Sequence, residues 1–342
     1  MMSPRAGPAD SPVNGARVRT PELLRPVGRS RWGMGAALAV GLGVILCGTA
    51  LSGRPEWGSA IGLGFVLTAV PEIPTAWRPA VHTMAVRAVT VMVAGALVAG
   101  MHNAVALATL TVAASIAGAL VPAVGATAGL AVVLISIDLD RGTTGPAALW
   151  PYLVGILIVF AGWAVWFAVS RLRHRGEDEP TSSSAPAGAA HAVRVGVAVG
   201  LAVLTATLLP AGMVGGHWLV TSVLLTIQPT RSRTGQRLAQ RLSGNAVGAV
   251  IAAALLGAHP PAPVVIGLTV VLFLLAMALR PVNYTWWAIT GPPVLLVISE
   301  YPGLFPWYEG AVRLAMNFAG ALIVVLIVFV APLAAPMWLR QR

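Results

Sequence analysis

The chain has 342 residues, of which 57% are hydrophobic and 10% are charged, and its net charge is +11. A soluble globular domain carries about 25% charged residues, so this composition excludes one. A basic balance in an apolar chain is typical of positively charged cytoplasmic loops, and nucleic-acid binding is a distant second interpretation. The single cysteine, Cys47, excludes an intrachain disulfide and a cysteine-based metal site.

Apolar runs of about 17–20 residues recur along the chain, and a run of that length crosses about 30 Å of hydrocarbon. Residues 1–31 are rich in Pro, Gly and Arg, and we predict that they form a disordered basic cytoplasmic tail. Twelve predicted spans follow, of which the second and the eighth are short and are expected to be tilted or partly re-entrant. The spans are 33–51, 57–71, 84–101, 104–121, 124–138, 148–169, 192–210, 214–228, 238–257, 262–279, 285–299 and 310–331.

The spans fall into two sets of six, which indicates an all-α polytopic membrane protein built of two parallel six-helix repeats. The first membrane half is 32–170, the second is 192–335, the polar segment 171–191 is a predicted flexible linker, and 336–342 is a short tail. Weak matches at a near-constant offset support the duplication. Trp57 matches Trp218 at an offset of 161 residues, and Leu134-Ile-Ser136 matches Val297-Ile-Ser299 at an offset of 163 residues.

The arginine distribution sets the predicted orientation. With the amino terminus inside, only Arg54, Arg141 and Arg313 fall on the outer side. The acidic residues that fall outside are Glu56, Asp138, Asp140, Glu300 and Glu309. We therefore predict that both termini and the linker are cytoplasmic. The lack of lysine, with the excess of Ala, Gly, Val and Pro, is typical of a GC-rich bacterial genome and so indicates a bacterial plasma (inner) membrane.

A nine-residue pattern, R-L-x-x-N-x-x-G-A, occurs twice in the second half, beginning at Arg241 and at Arg313. On a helix its Arg, Asn and Gly share one stripe, because they are spaced at i, i+4 and i+7. The remaining members of the two stripes are Asn245, Gly248, Asn317 and Gly320. The pattern predicts helices that pack closely and present polar groups to something other than lipid, which suggests a transport path.

A second symmetry lies inside the second half. Trp218-Leu-Val-Thr221 precedes the first copy of the pattern, and Trp287-Ala-Ile-Thr290 precedes the second, with a Trp spacing of 69 residues and an Arg spacing of 72. Three spans separate the copies, and an odd number reverses orientation, so this predicts inverted three-helix repeats. The alternative is a chance match, because W-x-x-T is common in a membrane protein rich in tryptophan.

The densest charge cluster lies at the start of the ninth span and consists of Arg231, Arg233, Arg237 and Arg241. It has two interpretations. One is a funnel that collects anions at the inner mouth, because the arginine fork fits a carboxylate. The other is ordinary cytoplasmic loop charge in contact with phospholipid head groups. Gly244 and Gly248 continue the stripe of Arg241 and would let a neighbouring helix approach closely.

Arg313 lies about one turn inside the last span from the outer side, where topology alone disfavours arginine. An intramembrane charge usually marks a pathway or a partner. Arg313 is therefore either a pathway residue or one member of a helix-end ion pair with Glu309, four residues earlier.

The sequence Thr290-Gly291-Pro292-Pro293 interrupts the eleventh span. Neither proline donates a backbone hydrogen bond, and a break inside a bilayer survives only where protein or water covers it. We expect a half-helix that begins after Pro293 and directs its N-terminal dipole at an anion. Tyr284 and Trp287 would add a hydrogen bond and a ring face suited to an aromatic carboxylate. The alternative is an ordinary proline kink with an interfacial aromatic belt.

Some features are absent from the sequence. No Asp or Glu lies in the hydrophobic middle of a predicted span, although a proton antiporter usually needs such a carboxylate. No nucleotide-binding loop, metal-ligand spacing or nucleophile elbow is visible, so we expect no enzymatic activity, no cofactor and no metal.

The second half resembles the fusaric-acid-resistance-type integral membrane transporters, a superfamily that includes bacterial aromatic-acid exporters and plant aluminium-activated malate channels. The resemblance is carried by His217-Trp218, Thr221, Gln228-Pro229-Thr230, Gln236-Arg237, Arg241-Leu-Ser-Gly244-Asn-Ala-Val-Gly248-Ala and the second copy of the pattern followed by Pro332. It covers 190–335 well and 30–170 loosely. Asn245 and Asn317 depart from the family, which usually has Thr there, and a short linker stands where longer members have a large cytoplasmic domain.

The resemblance implies export or conductance of organic anions. We expect an inner-membrane transporter that exports small organic anions, aromatic ones above all, with the lipid bilayer and either a second copy or an accessory efflux subunit as partners. The alternatives are a passive organic-anion channel and a non-transporting scaffold. The predicted pathway residues are Arg231, Arg233, Arg237, Arg241, Asn245, Tyr284, Trp287, Thr290, Arg313 and Asn317. The predicted packing and helix-break residues are Gly244, Gly248, Gly291, Pro292, Pro293 and Gly320.

Overall fold

The computed structural model describes residues 28–69, 76–140, 148–173, 188–209, 215–258, 260–300 and 308–332. Most of the predicted amino-terminal tail and of the predicted linker, and all of the predicted carboxy-terminal tail, lie outside these residues. The described part of the chain forms helices and no strand. The helices are α1 (Trp32–Leu51), α2 (Trp57–Thr68), α3 (Trp77–Ala99), α4 (Ala104–Leu120), α5 (Thr127–Asp140), α6 (Trp150–Arg173), α7 (Ala189–Thr207), α8 (Gly216–Thr226), α9 (Arg231–Gly257), α10 (Ala262–Leu279), α11 (Tyr284–Glu300) and α12 (Glu309–Val325), which continues into a π-helical turn (Leu326–Val330).

Seven of these helices are long and apolar enough to cross a membrane, namely α1, α3, α6, α7, α9, α10 and α12. The prediction of an all-α polytopic membrane protein is therefore confirmed. Two helices begin seven residues before the predicted spans at 84 and 238, since α3 starts at Trp77 and α9 at Arg231. In both, polar turns that carry arginine precede the apolar run.

Helices α2 and α8 are short, as predicted for 57–71 and 214–228. They have 12 and 11 residues, which at 1.5 Å per residue is about 16–18 Å, roughly half of the hydrocarbon thickness. Each ends where the backbone becomes extended, at Ala69 and at Ile227. Most residues of both helices are buried. Non-helical backbone at membrane depth is tolerated only where protein or water covers it, and the surrounding helices cover these two segments.

Helix pairs of the first set recur in the second. α2 packs on α6 as α8 packs on α12, α3 packs on α5 as α9 packs on α11, and α4 packs on α5 as α10 packs on α11. The contacts between the sets are also matched, because α1 packs on α10 and α7 packs on α4. This pattern is the one expected of two parallel six-helix repeats.

The glycines of the two motif copies have corresponding neighbours. A Cβ at Gly248 of α9 would lie 3.5 Å from the Ala288 carbonyl oxygen of α11, and a Cβ at Gly320 of α12 would lie 3.1 Å from the Leu219 carbonyl oxygen of α8. Both carbonyls follow closely after the tryptophan of the W-x-x-T sequence on their helix. Each stripe therefore packs on the backbone of one W-x-x-T helix, which supports the inverted three-helix repeat.

Helix α11 runs from Tyr284 to Glu300 with Pro292 and Pro293 inside it. The prediction of a break, with a half-helix beginning after Pro293, was therefore wrong. The prolines remove the donors that would bind the carbonyls four residues earlier. The freed Ile289 carbonyl lies against Gly248, where the lack of a side chain leaves room for it. Because α9 covers this carbonyl, the helix continues through both prolines.

We predict that Gly248→Ala lowers the free energy of unfolding of the purified protein by about 1–3 kcal/mol, the usual cost of overpacking a close helix contact. The variant should therefore melt at a lower temperature. Gly267→Ala on α10 is the matched control, since a Cβ there meets nothing within 4 Å. The measurement is the melting temperature in detergent. Equal melting temperatures for the two variants would contradict the close approach of α9 and α11.

Candidate functional site

The two copies of the repeated motif meet in the structure. α9 packs against α12, and the Asn245 side-chain amide donates to the Asn317 Oδ1 at 2.8 Å. Both arginines of the motif are almost fully buried, with 7% of Arg241 and 6% of Arg313 exposed. These polar groups of the two stripes therefore contact protein.

Asn317 is the centre of this cluster. Its Oδ1 accepts hydrogen bonds from the Arg241 Nη2 at 3.1 Å and from Asn245. Its Nδ2 donates to the Arg313 carbonyl, one turn earlier on α12, at 2.8 Å. The amide thus fixes the position of Arg241 relative to α12. Asn317 thus links the Arg241 side chain to the Arg313 backbone carbonyl through a neutral amide.

Arg313 contacts two other helices. Its Nη1 donates to the Pro292 carbonyl oxygen of α11 at 2.8 Å. Its guanidinium carbon lies 3.6 Å from the centre of a Trp218 ring, which is a cation–π contact with α8. The side chain of Glu309, the predicted ion-pair partner, lies outside the described residues. The recorded contacts of the Arg313 side chain are thus with neutral groups.

Arg241 has a similar environment. Its Nη1 donates to the Tyr284 hydroxyl oxygen at 3.0 Å, while its Nε is buried without a hydrogen-bond partner. The Arg237 guanidinium lies 3.6 Å from the centre of the same Tyr284 ring. Tyr284 therefore lies between the partly buried Arg237 and the buried Arg241. The Nε of Arg241 remains a donor without an acceptor.

These contacts leave two buried cations with neutral partners. Burying an isolated charge is costly unless an opposite charge or a full set of hydrogen bonds compensates it. The recorded partners of the two guanidiniums are the Asn317 amide, the Tyr284 hydroxyl, the Pro292 carbonyl and the Trp218 ring, and none of them is anionic. An anion placed between the arginines would supply the missing charge.

A cavity of about 20 Å³ lies between the two arginines. Its polar lining comes from Thr221, Arg241, Asn245, Arg313 and Asn317, and its aromatic lining from Trp218 and Trp287. A cavity needs about 10–15 Å³ by this measure to hold one water molecule, so the site as it stands has room for water and no larger ligand. A smaller cavity of about 10 Å³ adjoins Asn245, Arg313 and Asn317 on the side of Gly248 and Gly310.

The structure brings some of the predicted pathway residues together and leaves others apart. Besides the motif residues, Trp287, Gly291 and Pro292 line the larger cavity. Arg231 and Arg233 are exposed in the first turn of α9, away from it. The Thr290 hydroxyl donates to the Trp286 carbonyl of its own helix at 2.8 Å. Thr290 therefore has a local role in α11.

Gly244 and Pro293 belong to the packing of α9 on α11. A Cβ at Gly244 would lie 2.5 Å from the Cβ of Ala288. This contact sets the distance between the helices that carry Arg241 and Trp287. Pro293 is buried within α11.

Sequence reasoning did not include Trp218, Thr221 and Arg280 among the site residues. Trp218 and Thr221 line the cavity, and the Arg280 guanidinium lies 5.0 Å from the centre of a Trp287 ring. The inverted repeat contained the signal for the first two, since they correspond to Trp287 and Thr290. Arg280 has no counterpart in either motif copy, so no pattern pointed to it.

The described residues contain no group of three or more His, Cys, Asp or Glu side chains that could hold a metal ion. The chemistry available at the cluster is therefore that of guanidinium, amide, hydroxyl and indole groups, which bind and orient a ligand.

Residues 198–327 match the sequence model of a family described as fusaric acid resistance protein-like. The match begins in α7 and ends in the π-helical turn, so it includes both motif copies. The resemblance of the second half is thereby confirmed, and it indicates a membrane transporter. No curated protein and no solved structure matches the chain.

We predict opposite effects for two substitutions of Asn317. Asn317→Leu removes the acceptor of Arg241 and Asn245 and should destabilise the protein by about 1–3 kcal/mol. Asn317→Asp keeps an acceptor and adds a negative charge that the described partners of the two arginines lack, so it should raise the melting temperature. Asn103→Asp is the control, because Asn103 is exposed and caps α4, where Asp caps equally well. If Asn317→Asp is as unstable as Asn317→Leu, the cluster does not favour an anion.

Proposed function

We propose that this protein is a transporter of the bacterial inner membrane that exports small organic anions, aromatic carboxylates in particular, and that both termini lie in the cytoplasm. The proposal rests above all on one observation. Two buried guanidiniums, Arg241 and Arg313, line one cavity, and their recorded partners are neutral.

A carboxylate fits this pair better than a neutral ligand does. Each guanidinium presents several N–H donors in a plane, and a carboxylate accepts them two at a time. The Arg241 Nε is a buried donor without a partner. A carboxylate between Arg241 and Arg313 would bind such donors and offset the repulsion between the two cations. Binding and charge compensation are therefore the same event.

The preference for an aromatic ring is argued from the tryptophans. Trp218 and Trp287 lie on the cavity wall and contribute ring surface next to the arginines. Stacking of aromatic rings adds about 0.5–1.5 kcal/mol beyond the burial of their area. A ring bound there would compete with arginine for these faces, because Arg313 lies over Trp218 and Arg280 over Trp287. Release of an arginine from its tryptophan could thus accompany binding.

A path of positive charge connects the surface to the cavity. Arg231 and Arg233 are exposed at the start of α9, and Arg237 lies partly buried two turns further along. Its contact with the Tyr284 ring places it beside the Tyr284–Arg241 hydrogen bond. Clefts lined by one sign of charge raise the local concentration of the opposite ion. Arg231 and Arg233 would therefore collect anions for the buried pair.

The small volume of the cavity favours alternating access over an open pore. Its volume of about 20 Å³ excludes a benzoate-sized anion, since small-molecule pockets are usually at least about 300 Å³. The helices that bear the two tryptophans, α8 and α11, must therefore move relative to α9 and α12 before a substrate binds. Transporters with inverted repeats make such movements around a site near the midplane.

The test is counterflow of radiolabelled benzoate in proteoliposomes. Arg241→Ala and Arg313→Ala should each remove most of the counterflow, because each leaves the bound carboxylate with one guanidinium. Arg78→Ala is the matched control, since this exposed arginine lies on α3, outside the proposed path, and it should retain most of the wild-type rate. The abundance of all three variants in the membrane should stay close to that of the wild type.

Other outcomes separate the alternatives. Non-saturable benzoate flux without counterflow would indicate a passive channel, and absence of any flux would indicate a scaffold. Loss of membrane abundance in Arg313→Ala would assign that arginine a structural role. Benzoate counterflow that persists in both alanine variants would contradict the assigned site.

A further inference from the structure

A buried carboxyl group lies in the first six-helix set, apart from the anion site. Asp138 on α5 is 2% exposed, and the arginine distribution predicts that it lies on the outer side. The Ser59 hydroxyl of α2 donates to its Oδ1, and the Tyr152 hydroxyl of α6 donates to its Oδ2. Asp138 therefore joins three helices of this set through its two oxygens.

Asp138 lies close to one end of the bundle. Trp57 and Trp150 begin α2 and α6, and their rings form an edge-to-face pair with centroids 4.8 Å apart. Ser59 and Tyr152 follow two residues later on the same helices, about 3 Å deeper at 1.5 Å per residue. The carboxyl is thus held just below an aromatic pair at the end that the arginine distribution predicts to be outer. A proton that enters from the outer side would therefore cross only a small part of the bundle before it reaches Asp138.

Other ionisable groups lie on the helices that pack against α5. At the Asp138 end they are Arg54 and Glu56 before α2, His102 before α4, His217 at the start of α8, and Asp140 and Glu300, whose side chains lie outside the described residues. At the far end they are Arg78, His82 and Arg87 in the first half of α3, and Tyr284 at the start of α11. α4 carries none between Ala104 and Leu120. Tyr152 contacts the carboxyl directly.

The helices that hold Asp138 touch the helices of the anion site. α5 packs on α8, where a Cβ at Gly129 would lie 3.0 Å from the Leu224 side chain. α2 packs on α11, where a Cβ at Gly62 would lie 3.0 Å from the Ile298 side chain. A shift of α5 or α2 would therefore change the packing of α8 and α11, the helices that carry Trp218 and Trp287.

We propose that Asp138 is the proton-binding site through which an inward proton gradient drives export of the anion. The inference rests on the proposed function, since it names the ion that would power it. Two hydroxyl donors stabilise the carboxylate, whereas burial stabilises the neutral acid, so the site can hold either form. On protonation one oxygen becomes a donor, and one of the two hydroxyls must turn away from it. The link between α2, α5 and α6 then loosens, and the contacts with α8 and α11 transmit the change.

The test compares exchange with gradient-driven accumulation in proteoliposomes that contain the full chain. Radiolabelled benzoate is the probe in both. Wild-type protein should catalyse counterflow at equal pH and should accumulate benzoate when a pH gradient is imposed. Asp138→Asn, which keeps the shape of the side chain and one acceptor oxygen, should retain counterflow and lose the gradient-driven accumulation. Thr49→Val is the control, since this buried hydroxyl bonds only to carbonyls of its own helix and the variant should retain both activities.

A second variant covers the case in which Asp138→Asn does not fold. Tyr152→Phe removes one donor to the carboxylate, which favours the protonated form, so the pH profile of accumulation should shift to higher pH. Accumulation that persists in Asp138→Asn, an unshifted profile in Tyr152→Phe, or accumulation driven by a sodium gradient in place of the pH gradient would each overturn the proposal. Absence of counterflow in the wild type would instead overturn the proposed function, so the two failures are distinguishable.

Discussion

The burial of two arginines that have no anionic partner among their recorded contacts is the constraint around which the second half is built. A guanidinium in a low-dielectric interior must be compensated by dipoles or by an opposite charge. Here the compensation comes from three helices, since Tyr284 and Pro292 lie on α11, Asn317 on α12 and Trp218 on α8. The contacts of Arg241 and Arg313 therefore hold α8, α9, α11 and α12 together. An anion that bound the two guanidiniums more strongly would replace some of these contacts.

Glycine and proline make this arrangement possible by bringing α9 and α11 together. Pro293 frees the Ile289 carbonyl, and Gly248 leaves the space in which α9 covers it. Pro292 contributes the carbonyl that binds Arg313. Without Pro293, the Ile289 carbonyl would stay in the hydrogen-bond ladder of α11.

The sequence predicted the parts of the fold and site that depend on local spacing. The stripes of Arg241 and Arg313 follow from their i, i+4, i+7 pattern, and the short helices α2 and α8 follow from short apolar runs. The burial of Asp138 was not predicted because it depends on Ser59 and Tyr152, which lie 79 and 14 residues away. The continuity of α11 was missed for the same reason, since Gly248 of α9 covers the carbonyl that the proline frees.

Equilibrium binding of benzoate and of benzamide to the purified protein, measured by titration calorimetry, tests the central claim most directly. The two ligands share a ring and differ in charge. The paired guanidiniums predict that benzoate binds, that benzamide binds far more weakly, and that the double variant Arg241→Ala/Arg313→Ala binds both ligands equally weakly. Equal affinity of the wild-type protein for the two ligands would contradict the claim, because the site would then bind a ring and not an anion.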